Sequence, residues 1–367
     1  MKIGILTFHN ALNYGAVLQC YALQHYLQEK GHDVEVIDYR IRFIEEQKKL
    51  LSKTELRRRG FVAFLKYFIA RLLAWPAWRK TIRVFHHFME SQLHLSPRAA
   101  TAADIPTGYD CIFFGSDQIW SPKLCRGFDP MFWGQFEKHG ARFVSYAASI
   151  GETSDLDKSG WQQVEQRIKA FDAVSVREKS LCLALKEHCG VSASICLDPT
   201  LLVDASVFDK IAVRPPEEQD YVFLFNVLDD PAASLFARRL ANQLGSSVVI
   251  KGQAKPQLKS RRDKLVTLKE AMSPEEFLGY IKYARCIVGN SFHAIALSIV
   301  FQKDCYALKS RRSGRVEGLL SSLGLADRIV AATEPVEIIS SIDYKAVNER
   351  LALMRQSSTQ FINSQTA

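Results

Sequence analysis

The chain has 367 residues, 47% of them hydrophobic and 24% charged, and this balance excludes a largely disordered or fibrous protein. The length is that of about two domains. The eight cysteines form no C-x-x-C pair and no cluster with histidine, so the sequence predicts neither disulfides nor a zinc site. This cysteine pattern favours a reducing, cytoplasmic location, and the apolar start is too short for a signal peptide.

The formal net charge is +9, and the excess is local. Twelve basic and three acidic residues lie between Ile41 and Arg83, so the remainder of the chain is neutral in sum. This distribution argues against a general nucleic-acid-binding surface.

The N-terminal residues predict a βαβ unit. Residues 2–8 are apolar and predict a buried strand, 16–30 predict a helix that ends at Gly31, and 33–38 predict the next strand. Such a unit predicts a parallel sheet. The first loop lacks the G-x-G-x-x-G pattern, so the sequence carries no dinucleotide-binding fingerprint.

Residues 41–95 form a basic, helix-rich insertion. Within it, 61–78 are apolar except for two basic residues, which argues against a membrane-spanning helix, and Pro76 interrupts the end of this run. Two interpretations stay open. Residues 41–83 could contact a membrane surface peripherally, since anionic headgroups attract such helices, or a helical pair could pack on the core with a solvated basic face.

Strand and helix signals alternate through the rest of the chain, and residues 213–220 have the composition of an interdomain linker. Strands are predicted at 111–114, 143–146, 173–176, 193–197, 221–226, 247–251 and 286–288, and helices at 160–171, 178–189, 231–244, 273–284 and 343–362. We therefore predict two doubly wound, Rossmann-like α/β domains facing a cleft. The N-terminal domain is 1–212, and the C-terminal domain, with the last helix, is 213–367. Ligands bind such sheets at the carboxyl ends of the strands.

One strand–loop–helix junction lies at 286–300. The apolar run to Val288 gives way at Gly289 to Asn290 and Ser291, which are strong N-cap residues, and a helix-compatible segment follows. A helix N-terminus presents free N–H groups, so Ser291 and His293 stand where a phosphate or carboxylate could bind. The alternative is a hydrogen-bonded structural histidine.

A second polar junction follows the strand at 111–114. Gly115 allows a sharp turn, and Ser116 and Asp117 then lie at the carboxyl edge of the sheet. Asp117 could act as a general base or hold a sugar hydroxyl, with Trp120 as an apolar platform. The alternative is a turn capped by the aspartate.

Two arginines could face the same cleft. Arg177 closes the strand at 173–176 and offers a planar fork for carboxylate or phosphate, unless it only pairs with the adjacent Glu178. Arg315 could approach from a later loop, although a lone loop arginine is usually solvated.

The remaining strand ends carry weaker signals. Asn13, Tyr14 and Gly15 precede the first helix and could supply backbone N–H groups to a substrate. The Leu197-Asp198-Pro199-Thr200 stretch favours a structural turn.

In order along the chain, these motifs resemble the polysaccharide pyruvyl transferase family. The resemblance runs from residue 2 to residue 328 and leaves out the insertion. Its motifs are Asn13-Tyr14-Gly15-Ala16-Val17-Leu18-Gln19, Gly115-Ser116-Asp117-Gln118-Ile119-Trp120, Ser145-Tyr146-Ala147-Ala148-Ser149, Ser175-Val176-Arg177-Glu178, Asp198-Pro199-Thr200, Asn290-Ser291-Phe292-His293 and Arg315 before a leucine pair. The chain departs from the pattern at Ala294, where glycine is common, and at Asp304-Cys305-Tyr306, where a proline is usual.

The resemblance implies a fold like that of GT-B glycosyltransferases, with the N-terminal domain on the acceptor side and the C-terminal domain on the donor side. It also implies transfer of pyruvate from phosphoenolpyruvate to a pair of sugar hydroxyls. The product would be a ketal on a surface polysaccharide or its precursor, made on an oligosaccharide or lipid-linked acceptor, without a metal or cofactor.

On that chemistry, His293 would bind the phosphate or act as general acid, and Asp117 would be the acceptor-side base or orient the acceptor. The substrate-binding residues would be Arg177, Ser291, Asn290, Arg315, Ser116, Gly115, Asn13, Tyr14 and Trp120. Two alternatives stay open: a nucleotide-sugar-dependent glycosyltransferase, and a non-catalytic relative that binds a sugar or an anion.

Overall fold

The structure is a computed structural model that describes residues 1–50, 61–227, 231–246, 248–253, 264–310, 314–335 and 340–367, without the side chains of 61–63 and 253. Arg57, Arg58 and Arg59 of the predicted basic insertion lie outside the described residues.

The first half of the chain folds around a parallel six-stranded sheet with the strand order β2-β1-β3-β4-β5-β6. Its strands are β1 (Lys2–Leu6), β2 (Asp33–Val36), β3 (Cys111–Asp117), β4 (Arg142–Ala148), β5 (Ala173–Val176) and β6 (Ser194–Ile195). Alternate residues of one strand enter two different apolar clusters, as Phe113 and Phe114 do. Both faces of the sheet are therefore covered, as a parallel sheet requires.

The second half repeats this arrangement with the strand order β12-β11-β10-β7-β8-β9, again parallel throughout. Its strands are β7 (Tyr221–Phe225), β8 (Val248–Gln253), β9 (Thr267–Glu270), β10 (Cys286–Gly289), β11 (Cys305–Leu308) and β12 (Ile329–Val330). Two parallel, doubly wound sheets confirm the predicted α/β fold class.

The helices of the described residues lie between these strands and after them. They are α1 (Tyr14–Glu29), α2 (Arg42–Lys48), α3 (Phe61–Gln92), α4 (Pro122–Cys125), α5 (Lys158–Ile168), α6 (Lys179–Cys189), α7 (Pro199–Leu202), α8 (Ala205–Asp209), α9 (Pro231–Gln243), α10 (Pro274–Lys282), α11 (Phe292–Val300), α12 (Gly314–Ser322) and α13 (Tyr344–Thr366). None of these described helices is both long enough and apolar enough to cross a membrane.

The long helix α3 corrects one expectation. Pro76 does not interrupt the helix, which continues for 32 residues. Proline removes one backbone hydrogen bond. The partly buried Trp75 before the proline and the buried Trp78, Phe85 and Phe88 after it pack on the same apolar cluster, and this packing holds the helix together on both sides of the proline.

The last helix joins the two halves of the chain. Leu197 N donates to Ser358 Oγ (2.9 Å), and Arg355 donates to the carbonyl oxygens of Leu201 (2.7 Å) and Val203 (2.8 Å). The helix α13, which the sequence assigns to the second domain, is thus bonded to the first half. The division at residues 212 and 213 itself stays a prediction.

One apolar cluster belongs to both sheets. It contains Ile5 and Phe113 of the first sheet together with Phe223 and Ile287 of the second. Tyr14 lies in this shared layer. Because the layer is continuous, the two sheets are packed as neighbours rather than tethered by a linker.

Each sheet reverses its strand order once, between β1 and β3 in the first and between β7 and β10 in the second. At such a reversal the crossover connections leave in opposite directions and open a crevice beyond the carboxyl ends of the strands. The polar loops after β1, β3 and β10 begin at these two points. The topology therefore sets the location of a site before any side chain is considered.

The contact of Tyr14 across the shared layer can be tested by stability. Its ring stacks on Phe277 at 4.2 Å, and its hydroxyl donates to the Met272 carbonyl oxygen at 3.1 Å. Tyr14→Phe should lower the free energy of unfolding by about 1 kcal/mol, because a buried carbonyl loses its donor. Denaturant unfolding measures this. The half-exposed Tyr283→Phe control should change it by less than about 0.5 kcal/mol, and equal effects would contradict the contact.

Candidate active site

The centre of the site is the buried carboxylate of Asp198, whose two oxygens are both bonded. Oδ1 accepts from the backbone N–H (3.0 Å) and the hydroxyl (2.7 Å) of Thr200, so Asp198 caps the short helix α7. Oδ2 accepts from Ser116 Oγ (3.1 Å) and Arg177 Nη1 (2.7 Å). One carboxylate therefore connects the ends of β3 and β5 with the segment after β6.

His293 approaches the same carboxylate from the second sheet. Its Nε2 lies 3.4 Å from Asp198 Oδ2, within ion-pair distance but without hydrogen-bond geometry. This buried Nε2 has no hydrogen-bond partner among the residues that the structure describes. Burial raises the pKa of Asp198, but His293 and Arg177 outweigh it and hold the pKa well below its usual value. Asp198 is therefore a permanent anion between two basic groups.

The position of His293 depends on Gly15. A Cβ atom at Gly15, in the first turn of α1, would lie 1.9 Å from His293 Nδ1. Only glycine lets the imidazole lie this close to α1. His293 itself is the second residue of α11, which Ser291 caps by accepting from Ala294 N (3.5 Å). The first turns of α1 and α11, one from each half of the chain, thus meet at the imidazole.

Arg177 is 5% exposed and lies among three carboxylates. Besides Asp198, Nε donates to Glu178 Oε1 (3.1 Å) and Nη2 lies 3.7 Å from Asp117 Oδ1. Burial disfavours its charge, but the carboxylates, Glu178 first, raise its pKa above the ordinary value. Nη2 has no hydrogen-bond partner in the described part of the chain. The ion pair with Glu178 that the sequence offered as one alternative is thus present, whereas binding of a ligand anion by Arg177 stays a prediction.

Arg315 reaches the same group of charges from α12. With the Gln118 amide turned so that its oxygen faces the guanidinium, that oxygen accepts from Nη1 (3.0 Å) and Nη2 (3.2 Å). Burial, and then the nearby charge of Arg177, lower the pKa of Arg315, whereas Asp117 opposes that shift. The structure therefore places Arg315 beside Arg177 and Asp117, although a lone loop arginine is usually solvated.

Asp117 and Gly115 owe their positions to the backbone of β3. Asp117 has a φ of 72°, which turns the chain at the strand end, and its carbonyl oxygen accepts from Ser149 N (3.0 Å). Gly115 has a φ of 121°, and a Cβ there would lie 2.3 Å from the Tyr146 carbonyl oxygen. The glycine is thus required for close strand approach, and the turn aims Asp117 at Arg177.

Two predicted ligand contacts are used inside the protein instead. Trp120 is 1% exposed, stacks on Trp133 at 4.7 Å and donates to the Phe132 carbonyl oxygen, so its ring offers no open platform. Tyr14 lies in the shared apolar layer with its hydroxyl bonded. In a sequence, an aromatic residue beside a glycine could belong to a hydrophobic core or to a binding site. The burial of these two side chains assigns both to the core. We leave both residues out of the site proposed below.

The two asparagines cap and connect loops. Asn13 Oδ1 accepts from Gly15 N (3.0 Å) and so caps α1. Asn290 Oδ1 accepts from Val227 N (2.9 Å), and its Nδ2 donates to Asn226 Oδ1 (2.7 Å). These bonds join the loops after β7 and β10 at the reversal of the second sheet. Both side chains therefore fix the loops around the crevice through hydrogen bonds from backbone N–H groups.

A model of the family described as polysaccharide pyruvyl transferase matches residues 13–311. This segment is most of the chain and contains Asp117, Arg177, Asp198 and His293, whereas Arg315 lies just beyond it. The chain belongs to the polysaccharide pyruvyl transferase family. Comparison with curated proteins gives no match.

Similar solved structures include a glycosyltransferase and an epimerase. One is the glycosyltransferase VinC in complex with dTDP, with 12% identity and a TM-score of 0.44 over 100% of this chain and 98% of that one. The other is UDP-GlcNAc 2-epimerase from Methanocaldococcus jannaschii, with 12% identity and a TM-score of 0.48 over 100% of this chain and 99% of that one. These low scores add nothing to the family assignment.

The residue that sequence reasoning underestimated is Asp198, interpreted there as part of a structural turn. The turn is real, because Asp198 caps α7, but its second oxygen is shared by Ser116, Arg177 and His293. An aspartate before proline at a strand end is a common capping signal. Gln118 was likewise not singled out, since an amide carries no charge signal. Within the described residues no group of three or more metal-ligating side chains occurs.

The role of Gly15 is tested by a double-mutant cycle. Gly15→Ala should destabilise the protein when His293 is present, because the new Cβ displaces the imidazole. In a His293→Ala background the same change should be neutral or stabilising by up to about 1 kcal/mol, since alanine favours a helix. Gly318→Ala, also helical but with open space at its Cβ position, is the control and should be stabilising in both backgrounds. Identical effects of Gly15→Ala in both backgrounds would contradict the contact.

The charge of Asp198 predicts a pH dependence of stability. Its pKa is lower in the folded than in the unfolded protein, so its stabilisation is present above the unfolded pKa of about 4 and is lost as pH falls toward the folded value. Asp198→Asn should lower the free energy of unfolding by about 3 kcal/mol at neutral pH, because Arg177 loses a buried partner. The difference in the free energy of unfolding between this variant and the wild type should shrink as denaturant unfolding is measured at decreasing pH.

The control for this measurement is Asp204→Asn, which removes an exposed carboxylate paired with Arg355. This control should lower the free energy of unfolding by less than about 1 kcal/mol at any pH. A difference between Asp198→Asn and the wild type that stays constant down to acid pH would show that Asp198 does not carry the lowered pKa.

Proposed function

We propose that the protein transfers pyruvate from phosphoenolpyruvate to two hydroxyls of a sugar, forming a pyruvate ketal on a surface polysaccharide or its precursor. Family membership supports a pyruvyl transferase. The observation that carries the proposal to phosphoenolpyruvate is that Arg177 Nη2 and His293 Nε2 are both buried without a hydrogen-bond partner in the described residues, on either side of Asp198. Two buried polar groups without a partner are costly unless a ligand satisfies them.

Phosphoenolpyruvate carries a carboxylate and a phosphate, so it needs two sets of cationic or N–H donors. Arg177 and Arg315 supply guanidinium groups, which bind either anion through paired N–H bonds. The first backbone N–H groups of α11 have no partner within the helix and point toward an anion at its N-terminus. Ser291 and His293 belong to that helix start. In this assignment the donor lies between the two strand-order reversals.

The reaction requires a proton and a base at defined atoms. A proton is added to the methylene carbon of the enol, a sugar hydroxyl forms a bond to C2, and the second hydroxyl replaces the phosphate at C2. The products are the ketal and inorganic phosphate. Of the two protons that the hydroxyls lose, one balances the proton added to the methylene carbon and the other leaves with the phosphate. His293 either donates the proton or binds the departing phosphate, and Asp117 takes the hydroxyl proton or orients the acceptor. Groups in such roles contribute about 10²- to 10⁴-fold to the rate.

Asp198 is a positioning residue in this proposal. Its buried charge holds the guanidinium of Arg177 at 2.7 Å and keeps the imidazole of His293 within 3.4 Å. It balances the positive charge of the site before the donor arrives. The scheme needs no metal ion.

The test is phosphate release measured with phosphoenolpyruvate and a panel of oligosaccharide acceptors. Release should require both donor and acceptor, and His293→Ala should lower it by at least about 100-fold while the protein stays folded. The exposed His87→Ala is the matched control and should be unchanged. Near-normal turnover by His293→Ala would overturn the assignment of that residue.

Ligand-induced stabilisation separates the alternatives. Phosphoenolpyruvate should raise the unfolding temperature of the wild type, and less so that of Arg177→Lys, which cannot reproduce a planar fork. Stabilisation by nucleotide sugars instead would indicate a glycosyltransferase. Stabilisation by phosphoenolpyruvate without phosphate release on any acceptor would indicate a non-catalytic binding protein.

A further inference from the structure

The outward face of the long helix α3 is apolar at one end and cationic at the other. Leu65, Ile69, Leu72 and Leu73 are 45%, 48%, 48% and 61% exposed. Their spacing of four, three and one residues places them on one side of the helix. Single exposed leucines are common, but four adjacent ones on a helix face form a patch.

The same face continues past Pro76 as a basic surface. Arg79, Lys80 and Arg83 are exposed and lie in helical register with the leucines. From Leu65 to Arg83 the surface is about 27 Å long at the helical rise per residue. No aspartate or glutamate occurs between residues 64 and 89. Glu90, the acidic residue of this helix, lies beyond the cations, seven residues after Arg83, and its carboxylate is 3.1 Å from the His86 ring.

The opposite face fixes the orientation of the helix. Ala74, Trp78, Phe85 and Phe88 are buried, so α3 cannot rotate to hide its leucines. Arg71, at the side, donates to the carbonyl oxygens of Gln47 (2.5 Å) and Lys49 (3.1 Å) and lies 3.7 Å from the centroid of the Trp78 ring. The outward face is therefore held on a rigid base.

We infer that this face of α3 docks on an anionic lipid surface. Charge complementarity decides the occupant, because an anionic bilayer satisfies both ends of the face at once. The acyl boundary takes the four aliphatic side chains, and the phosphate headgroups take Arg79, Lys80 and Arg83. A second copy of the chain would bring the same cations and leave them without anionic partners. Docking by this face does not depend on the reaction proposed above.

The experiment is co-sedimentation of the full chain with phosphatidylcholine vesicles, prepared with or without phosphatidylglycerol. Binding should require phosphatidylglycerol and weaken as salt is added, because salt screens the headgroup charge. Arg79→Gln with Arg83→Gln should lower affinity about 25-fold, at about fivefold for each lost charge. Ile69→Ser with Leu73→Ser should lower it at least about tenfold and leave the salt dependence in place.

Matched controls lie on other helices. Leu183→Ser and Leu353→Ser remove leucines that are 57% and 67% exposed, and Lys186→Gln removes an exposed charge. All three should bind vesicles like the wild type. Every variant should keep the wild-type unfolding temperature, which shows that lost binding is not lost folding.

Three results would overturn the inference. The wild type could fail to bind vesicles containing phosphatidylglycerol, or the α3 variants could bind as well as the controls. The third is a wild-type dimer in sedimentation analysis that Ile69→Ser with Leu73→Ser converts to a monomer. That result would assign the face to self-association.

Discussion

The rest of the site depends on one interaction, the buried contact between the Asp198 carboxylate and its basic neighbours Arg177 and His293. A charge in this environment is stable only when it is paired and hydrogen-bonded, and Asp198 has four donors besides the nearby imidazole. The arrangement also leaves Arg177 Nη2 and His293 Nε2 with unused hydrogen-bonding capacity beside a neutralised charge. In the proposed function these two atoms bind the anionic donor, and Asp198 balances the positive charge of the site when the donor is absent.

The fold delivers these groups through its topology. Each parallel sheet reverses its strand order once, and the polar loops leave the carboxyl ends of the strands at those two places. A shared apolar layer, containing Ile5 and Ile287 among others, packs the sheets together so that the two edges meet. The close approach of α1 and α11 completes the arrangement, and it is possible only because residue 15 has no Cβ.

Much of this could be predicted from the sequence, because parallel strands and helix caps leave local patterns. The alternation of apolar runs and polar junctions located the strands, and residue types at the strand ends marked Asp117, Arg177 and His293 as candidates. Other features left no such pattern. The short polar strand β9 is an edge strand whose pairing with β8 is not visible in its composition. Trp120 carries the same signal whether it faces a ligand or a core.

The sequence by itself determined the α/β class, the order of the motifs and their family resemblance, since these depend on periodicity and on residue types at local turns. Only the tertiary structure decided which strand-end residues meet. It brought Asp198 from a turn to the centre of the site and moved Tyr14 into the shared apolar layer. It also continued α3 through Pro76 and turned four aliphatic side chains outward. The reason is that contacts between residues far apart in the chain depend on how helices and sheets pack, and local patterns do not encode that packing.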